Sequence, residues 1–259
     1  MKGRVLKLSA PRRLVCDLMR FSVSVPRVTV QRRMNLGTLL DTRDASEPRP
    51  SWTAIFLKGY ALLAAETPEL RRAYIKFPWP RLYEYPSNVA SVAHERDYEG
   101  ERAVLLSRIK EPEQRSILEL DRLIEAARSR PIEEIKEFRQ ALKFAGMPAI
   151  LRRPLMWLGL NIGRQRANHF GTFQLSVYSG LGAESLNPLS PLTTLFNYGR
   201  IDKSGFVDVR IHYDHRVMDG ANVARALVRF EAILNETVSG EVTRLAGTGR
   251  RDPANDQQR

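Results

Sequence analysis

The sequence predicts an α+β domain, a two-layer sandwich of mixed sheet and helices, on three observations. Helix-like and strand-like runs mix without the regular strand–helix–strand alternation that builds a doubly wound parallel sheet. Three short strand-like runs cluster late in the chain, at Gly171–Tyr178, Leu192–Tyr198 and Phe206–Tyr213. A histidine-bearing bend, Tyr213-Asp214-His215-Arg216-Val217-Met218-Asp219-Gly220, joins the last of them to a helical pattern that starts at Ala221.

Taken in order, Pro11 to Phe21 reads as a short helix. Val25 to Leu36 alternates as a strand, with Val28 and Val30 on one face and Thr29 and Gln31 on the other. Arg43 to Pro50 is a polar loop. Ser51 is placed to cap a helix that carries Trp52, Ile55, Phe56, Leu62 and Leu63 on one side and ends at Pro68. Pro78, Pro80 and Pro86 punctuate the next stretch. Val89–Ala93 and Ala103–Ile109 then read as strands around a turn at Asp97–Glu101. Ser116 caps a helix whose expected buried stripe is Ile117, Leu120, Leu123, Ile124 and Ala127, and Pro131 closes it. The segment from Phe138 to Arg166 is basic and apolar together. After the three late strands, Ala221 to about Asn235 presents Val223, Leu227, Phe230 and Leu234 on one face. The polar tail, 240–259, is expected to be disordered.

A chain of 259 residues with 43% hydrophobic content can bury the core of one large domain or two small ones. No apolar run approaches the ~18 residues of a membrane span. Met1 to Arg13 does not read as a signal peptide, so the expected location is cytoplasmic. The single cysteine, Cys16, excludes an internal disulfide framework and a cysteine-rich zinc site, and no metal is expected. A net charge of +12 points to acidic partners: coenzyme A phosphates, an acidic carrier protein or an anionic membrane. No nucleic-acid motif lies beneath that charge, and no nucleic-acid partner is expected. Gly180-Leu181-Gly182 lacks the third glycine and following helix of a dinucleotide loop.

Only four histidines are present, His94, His169, His212 and His215, so few side chains compete for general-base work near neutral pH. His215, between a strand and a helix, is well placed to face a pocket. Its plainer use is to stabilise the bend. Asp219 has the plainer use of capping the following helix, and Ser176 that of a strand serine satisfied by backbone. His212 reads as structural or surface, and His169 as exposed.

The segment Asp214 to Ala221 closely resembles the active-site signature of the dihydrolipoyl acyltransferases. These are the catalytic domains of 2-oxoacid dehydrogenase complexes, and they share a fold with chloramphenicol acetyltransferase. Gly171-Thr172-Phe173-Gln174-Leu175-Ser176 is similar to the family's Gly-Thr-Phe-Thr-Ile-Ser strand. Arg12-Arg13-Leu14-Val15-Cys16-Asp17-Leu18-Met19 resembles its opening helix, and Trp52–Pro68 and Leu70–Tyr74 the elements that follow. The resemblance covers roughly residues 11–236, the expected catalytic domain.

Three departures accompany it. No lipoyl domain and no subunit-binding domain precede the catalytic region, so no covalent lipoyl group is expected on this chain. The family's Ser-Asn-Leu-Gly is here Ser176-Val177-Tyr178-Ser179-Gly180, and the stretch 138–169 is much longer than the usual loop. That insertion is expected to be core or a packed helical hairpin, a lid, a docking face for a carrier protein, or a membrane patch.

The resemblance implies an acyltransferase acting by direct transfer from a coenzyme A or carrier thioester to a small-molecule, lipid or thiol acceptor. His215 would be the general base. Ser176 would donate to the oxyanion, and Asp219 would orient the site through Arg12 or Arg13. It also implies a homotrimer, with His215 from one chain and Ser176 from its neighbour, and an acidic carrier or lipoyl domain as partner. The alternatives are a non-catalytic trimeric scaffold of the same fold, or binding to membrane or nucleic acid through the charge.

Overall fold

The computed structural model describes residues 1, 3–178, 180 and 182–248, with side chains through 245. Ser179 and Leu181, in the segment after Ser176, lie outside the described residues, as does the tail beyond Thr248.

Helix α1 (Ala10–Ser22) starts where the Ser9 hydroxyl accepts from the Arg12 amide at 3.2 Å. Strand β1 (Arg27–Asn35) follows, then a short helix α2 (Gly37–Asp44) that occupies the stretch just before the expected polar loop and its first residues. Ser51 caps α3 (Trp52–Glu66) as expected, accepting from the Ala54 amide at 3.2 Å. This helix is buried from Ala54 to Ala61 without a break. It lies between the sheet and two other helices, so the expectation of one apolar side understates it. Lys58 is buried within it because its ammonium donates to the carbonyls of Glu113 and Arg115, both at 2.7 Å.

Strands β2 (Arg72–Ile75) and β3 (Arg81–Glu84) form a separate two-stranded ribbon that the prolines concealed. Strands β4 (Val89–Tyr98) and β5 (Glu101–Lys110) run to a two-residue turn, longer than the alternation predicts. Glu99 and Gly100 both take positive φ there, the geometry of a tight hairpin. Ser116 caps α4 (Ile117–Ser129) by accepting from the Glu119 amide, but Leu123 is exposed and drops out of the expected stripe.

The insertion is three helices, α5 (Lys136–Gly146), α6 (Ala149–Asn161) and α7 (Gly163–Phe170). Then come β6 (Phe173–Leu175), β7 (Thr194–Tyr198), β8 (Phe206–Asp214) and α8 (Gly220–Ile233). A π-helical turn at Leu234–Val238 leads into α9 (Ser239–Thr248). The disorder expected from Gly240 is therefore corrected as far as Thr248. Val238 and Val242 are fully buried in the main core and tie this helix down.

The main sheet has the order β1-β8-β7-β6-β4-β5, with β6 parallel to β4 and β7 and the other pairs antiparallel. This is the predicted α+β sandwich with a mixed sheet. One face is dry and aromatic. Tyr60 of α3 stacks on Phe196 at 4.2 Å between ring centres, Phe56 on Tyr198 at 3.9 Å, and Phe230 of α8 meets Tyr60 and Phe196 edge-on. The opposite face, bearing Gln174, Leu195, Arg210 and His212, is mixed in polarity, and helices α1, α5, α6 and α7 cover its β4–β5 end.

Candidate active site

The bend after β8 is built by Asp214. This fully buried carboxylate accepts from the Arg216 amide (3.0 Å) and Nε (2.9 Å) through one oxygen and from Arg216 Nη2 (2.7 Å) through the other. The first of these closes an Asx turn, and the Val217 amide closes a turn onto the Asp214 carbonyl at 3.0 Å. The His215 amide donates to the Pro26 carbonyl at 3.0 Å, which ties the bend to the chain entering β1. Arg216 also lies over the Tyr74 ring at 4.3 Å. Half-buried Arg27 and buried Arg166 face the same carboxylate electrostatically. Burial lowers the Arg27 guanidinium to about 10, with Asp214 pulling the other way, and lowers that of Arg166. Their hydrogen bonds go to backbone: Arg27 to the carbonyls of His212, Ser190 and Leu192, and Arg166 to those of Pro191 and Tyr74.

His215 is thereby fixed in backbone and open in side chain. Its ring is 49% exposed, with Nδ1 3.5 Å from an Asp219 oxygen. No protein partner meets Nε2 among the described residues. Asp219 occupies the N-cap position of α8, but its side chain caps nothing. Its backbone carbonyl accepts from Asn222 and Val223, so the carboxylate is left to face His215 at a helix N-terminus, where negative charge is favoured. Asp219 meets no arginine among the described residues. Of the two expected partners, Arg12 and Arg13, Arg12 pairs within the chain with Glu101 at 3.4 Å near the far edge of the sheet.

Ser176 stands at the end of β6. Gly171, at φ +97, lets the chain turn in against β4; a Cβ there would sit 2.9 Å from the Val89 carbonyl. Thr172 then binds Val89 twice through its hydroxyl, accepting from the amide (3.0 Å) and donating to the carbonyl (3.2 Å). Phe173 goes into the aromatic core, and the alternation puts Gln174 and Ser176 on the opposite face. There the Ser176 hydroxyl is buried and bonded to the Tyr178 hydroxyl at 3.3 Å. It borders a cavity of about 300 Å³ enclosed by α1, β5 and the loop after β6.

A single chain does not bring Ser176 and His215 together. Leu175 lies opposite Phe196, and Phe196 opposite Ile211. Strand β6 runs parallel to β7 and β8 antiparallel to it, so Ser176 and His215 leave the sheet toward opposite ends. The four positions from Ile211 to His215 alone amount to roughly 13 Å of strand rise.

The other histidines do different work. His212 is fully buried on the mixed face, with Nδ1 2.7 Å from the Thr29 hydroxyl. Burial first, then Arg27 and Arg210, push its pKa down to about 4, so it is a neutral structural ring rather than a surface one. His94 bonds Ser107 at 2.8 Å and is likewise pushed down to about 4 by burial. His169 is exposed on α7 and contacts Gln165.

Sequence reasoning missed Asp214 as the organiser of the bend, although it lies within the motif, and missed the covering of Ser176 by α1. That covering rests on Asp17, which is buried and bonded to both Arg152 and Arg153 of α6. Burial alone would raise the Asp17 carboxyl; the hydrogen bonds and charges of the two arginines outweigh it and hold it low. No cluster of histidine, cysteine, aspartate and glutamate able to hold a metal ion occurs among the described residues. No helix among them is long and apolar enough to cross a membrane.

This combination of mixed sheet and histidine bend is the fold of acyltransferase catalytic cores. The structure superposes on a probable dihydrolipoamide acetyltransferase from Listeria monocytogenes 4b F2365 with a TM-score of 0.67 at 17% identity, over 90% of this chain and 95% of that one. It matches the Azotobacter vinelandii dihydrolipoamide acetyltransferase at 0.65 and 18% identity, over 91% and 93%. The latter was investigated for the catalytic roles of a serine, a histidine and an asparagine four positions after that histidine. A chloramphenicol acetyltransferase matches at 0.50 and 15% identity, over 95% and 100%. No protein-family model matches the sequence, and no curated protein sequence matches it.

Proposed function

We propose that this protein is an acyltransferase moving an acyl group from a coenzyme A or carrier thioester directly to a thiol, hydroxyl or amine acceptor. The observation that carries the reading is His215: a locked backbone, a carboxylate beside Nδ1, and an unpartnered Nε2 at an open surface. In the proposed reaction Nε2 takes the acceptor's proton as the acceptor attacks the thioester carbonyl. The tetrahedral oxyanion accepts a hydrogen bond from the Ser176 hydroxyl. On collapse the carbon–sulfur bond breaks, and the imidazolium returns the proton to the leaving thiolate. In the free chain the Ser176 hydroxyl donates to the Tyr178 oxygen at 3.3 Å, and in the proposed reaction it turns from that partner to donate to the oxyanion. Asp219 stands where the Azotobacter protein has its asparagine, and it holds the ring's orientation rather than carrying a proton.

The separation of Ser176 from His215 within one chain supports a homotrimer in which each site takes His215 from one subunit and Ser176 from the next. The charge of +12 favours an anionic donor, coenzyme A itself or an acidic carrier protein.

The test is thiol release from a panel of acyl-coenzyme A donors, run with wild type beside His215→Ala and with acceptors that include dihydrolipoamide. Release that depends on His215 supports the reading, and the preferred pair defines the substrates. Absence of both release and coenzyme A binding from a folded oligomer would sink it and leave a non-catalytic scaffold of the same fold.

A further inference from the structure

The second large cavity of the molecule lies beside the first and belongs to the insertion. It measures about 510 Å³, within the range of small-molecule pockets. It lies between β5, α1 and the three inserted helices. Five residues line both cavities: Val15 and Leu18 of α1, Val104 and Leu106 of β5, and Phe170 at the end of α7. The two spaces therefore adjoin across a common apolar wall, one ending at Ser176 and the other running out beneath α6. Alternation along β5 explains the wall. Leu105 turns the other way into buried packing, while Val104 and Leu106 face the cavity. Deeper in, Leu14, Ala141, Phe144 and Met156 continue the apolar lining. Polar groups border both spaces: Arg12, Glu101, Gln174 and Ser176 the first, and Glu137, Gln140 and Arg108 the second, where Arg108 donates to the His169 carbonyl.

Two adjoining, largely apolar spaces, one of them bordered by a hydroxyl, match one ligand class, a hydrocarbon chain carrying a polar head. We propose that these adjoining cavities hold the acyl chain of a medium- to long-chain substrate, its reacting carbonyl toward Ser176 and its methyl end under α6. The inference rests on the acyl-transfer reading and names the substrate class of that same site. The insertion is then the chain-length device. Its roof is fixed by the Asp17 pairs to Arg152 and Arg153, while its outer side leaves Leu155, Leu158 and Ile162 partly exposed along the cavity.

The test is a binding measurement that needs no catalysis. Purified full-length protein is titrated with 11-(dansylamino)undecanoic acid, and the bound probe is displaced with acetate, octanoate, decanoate and dodecanoate. The expected result is a saturable, blue-shifted rise in emission. Displacement should tighten by up to about fourfold per methylene, the equivalent of ~0.8 kcal/mol each, until the space is full. Ala141→Trp and Leu106→Trp should each weaken probe binding at least tenfold, with circular dichroism checking the fold of each. Binding with these features but neither thiol release nor coenzyme A binding would keep the cavity assignment and remove the acyl-transfer reading. No saturable binding by wild type would overturn the proposal and mean that neighbouring side chains fill the space. Displacement independent of chain length, or undiminished binding in whichever tryptophan variants fold, would overturn it equally.

Discussion

The histidine bend and the serine strand end solve opposite problems. At the bend, eight consecutive residues supply nearly everything: Asp214 folds the turn, Arg216 locks it, and Asp219 faces the ring. The imidazole is left half exposed. At the strand end, Ser176 is buried, and its surroundings come from across the chain: Val89 holds the strand start, α1 and β5 form the wall, and α6 anchors α1. One half of the candidate site is local and open; the other is assembled and enclosed. The difference teaches that a short motif specifies a reactive group better than it specifies what that group meets.

The largest expected effect breaks the open half. His215→Ala should lower thiol release by at least ~10²–10⁴-fold, the usual worth of a positioned general base. Because the bend is made by Asp214 and Arg216 and not by the imidazole, unfolding should be nearly unchanged. A variant that loses activity by melting would argue for the plainer, structural use of this histidine.

Next comes the anchor of the enclosed half. Asp17→Ala strips the partner from buried Arg152, a loss of order 3–5 kcal/mol in chemical denaturation. The wild-type pair also carries a pH signature. The Asp17 carboxyl is held low in the folded state, so its stabilisation is complete above the unfolded carboxyl value of about 3.9 and is lost as pH falls through the lower folded value. Stability profiles of wild type and Asp17→Asn should therefore converge in acid, below about pH 4. Parallel profiles would mean that Asp17 is not ionised in the fold.

Ser176→Ala should cost ~10²–10³-fold in turnover, in line with removing one oxyanion donor. Tyr178→Phe should cost less, since it only orients the serine. If the two variants ranked the other way, the tyrosine would be the donor.

Asp219→Asn should be the mildest. An asparagine keeps a polar side chain beside the ring and still caps a helix well. Turnover should stay within about tenfold, and stability within ~0.3–1 kcal/mol, the scale of a charge at a helix end.

The same division explains what was legible in the sequence. Alternation and capping residues located the strands and the helices capped by Ser51 and Ser116, because those signals are local. The α+β sandwich followed from their order. The ribbon of β2 and β3 was hidden among prolines. The helix at Ser239–Thr248 looked like a polar tail because only Val242 and its neighbours are drawn into the core. The insertion reads as basic and apolar together, and that pattern does not show that Arg152 and Arg166 are buried. Their partners, Asp17 and the carbonyls of Tyr74 and Pro191, lie far away in sequence, where periodicity carries no information. Arg12, one of the two residues expected beside Asp219, pairs within the chain with Glu101 of β5 and lines the same cavity as Ser176, a placement that periodicity does not show.

The central claim is that the two halves meet only between chains. The most direct test mixes subunits. His215→Ala and Ser176→Ala, each inactive alone, are unfolded together in equal amounts, refolded, and assayed for thiol release. A site shared between neighbours predicts that about a quarter of wild-type activity returns, from interfaces that pair an intact histidine with an intact serine. A refolded mixture as inactive as its two parents would contradict the shared site.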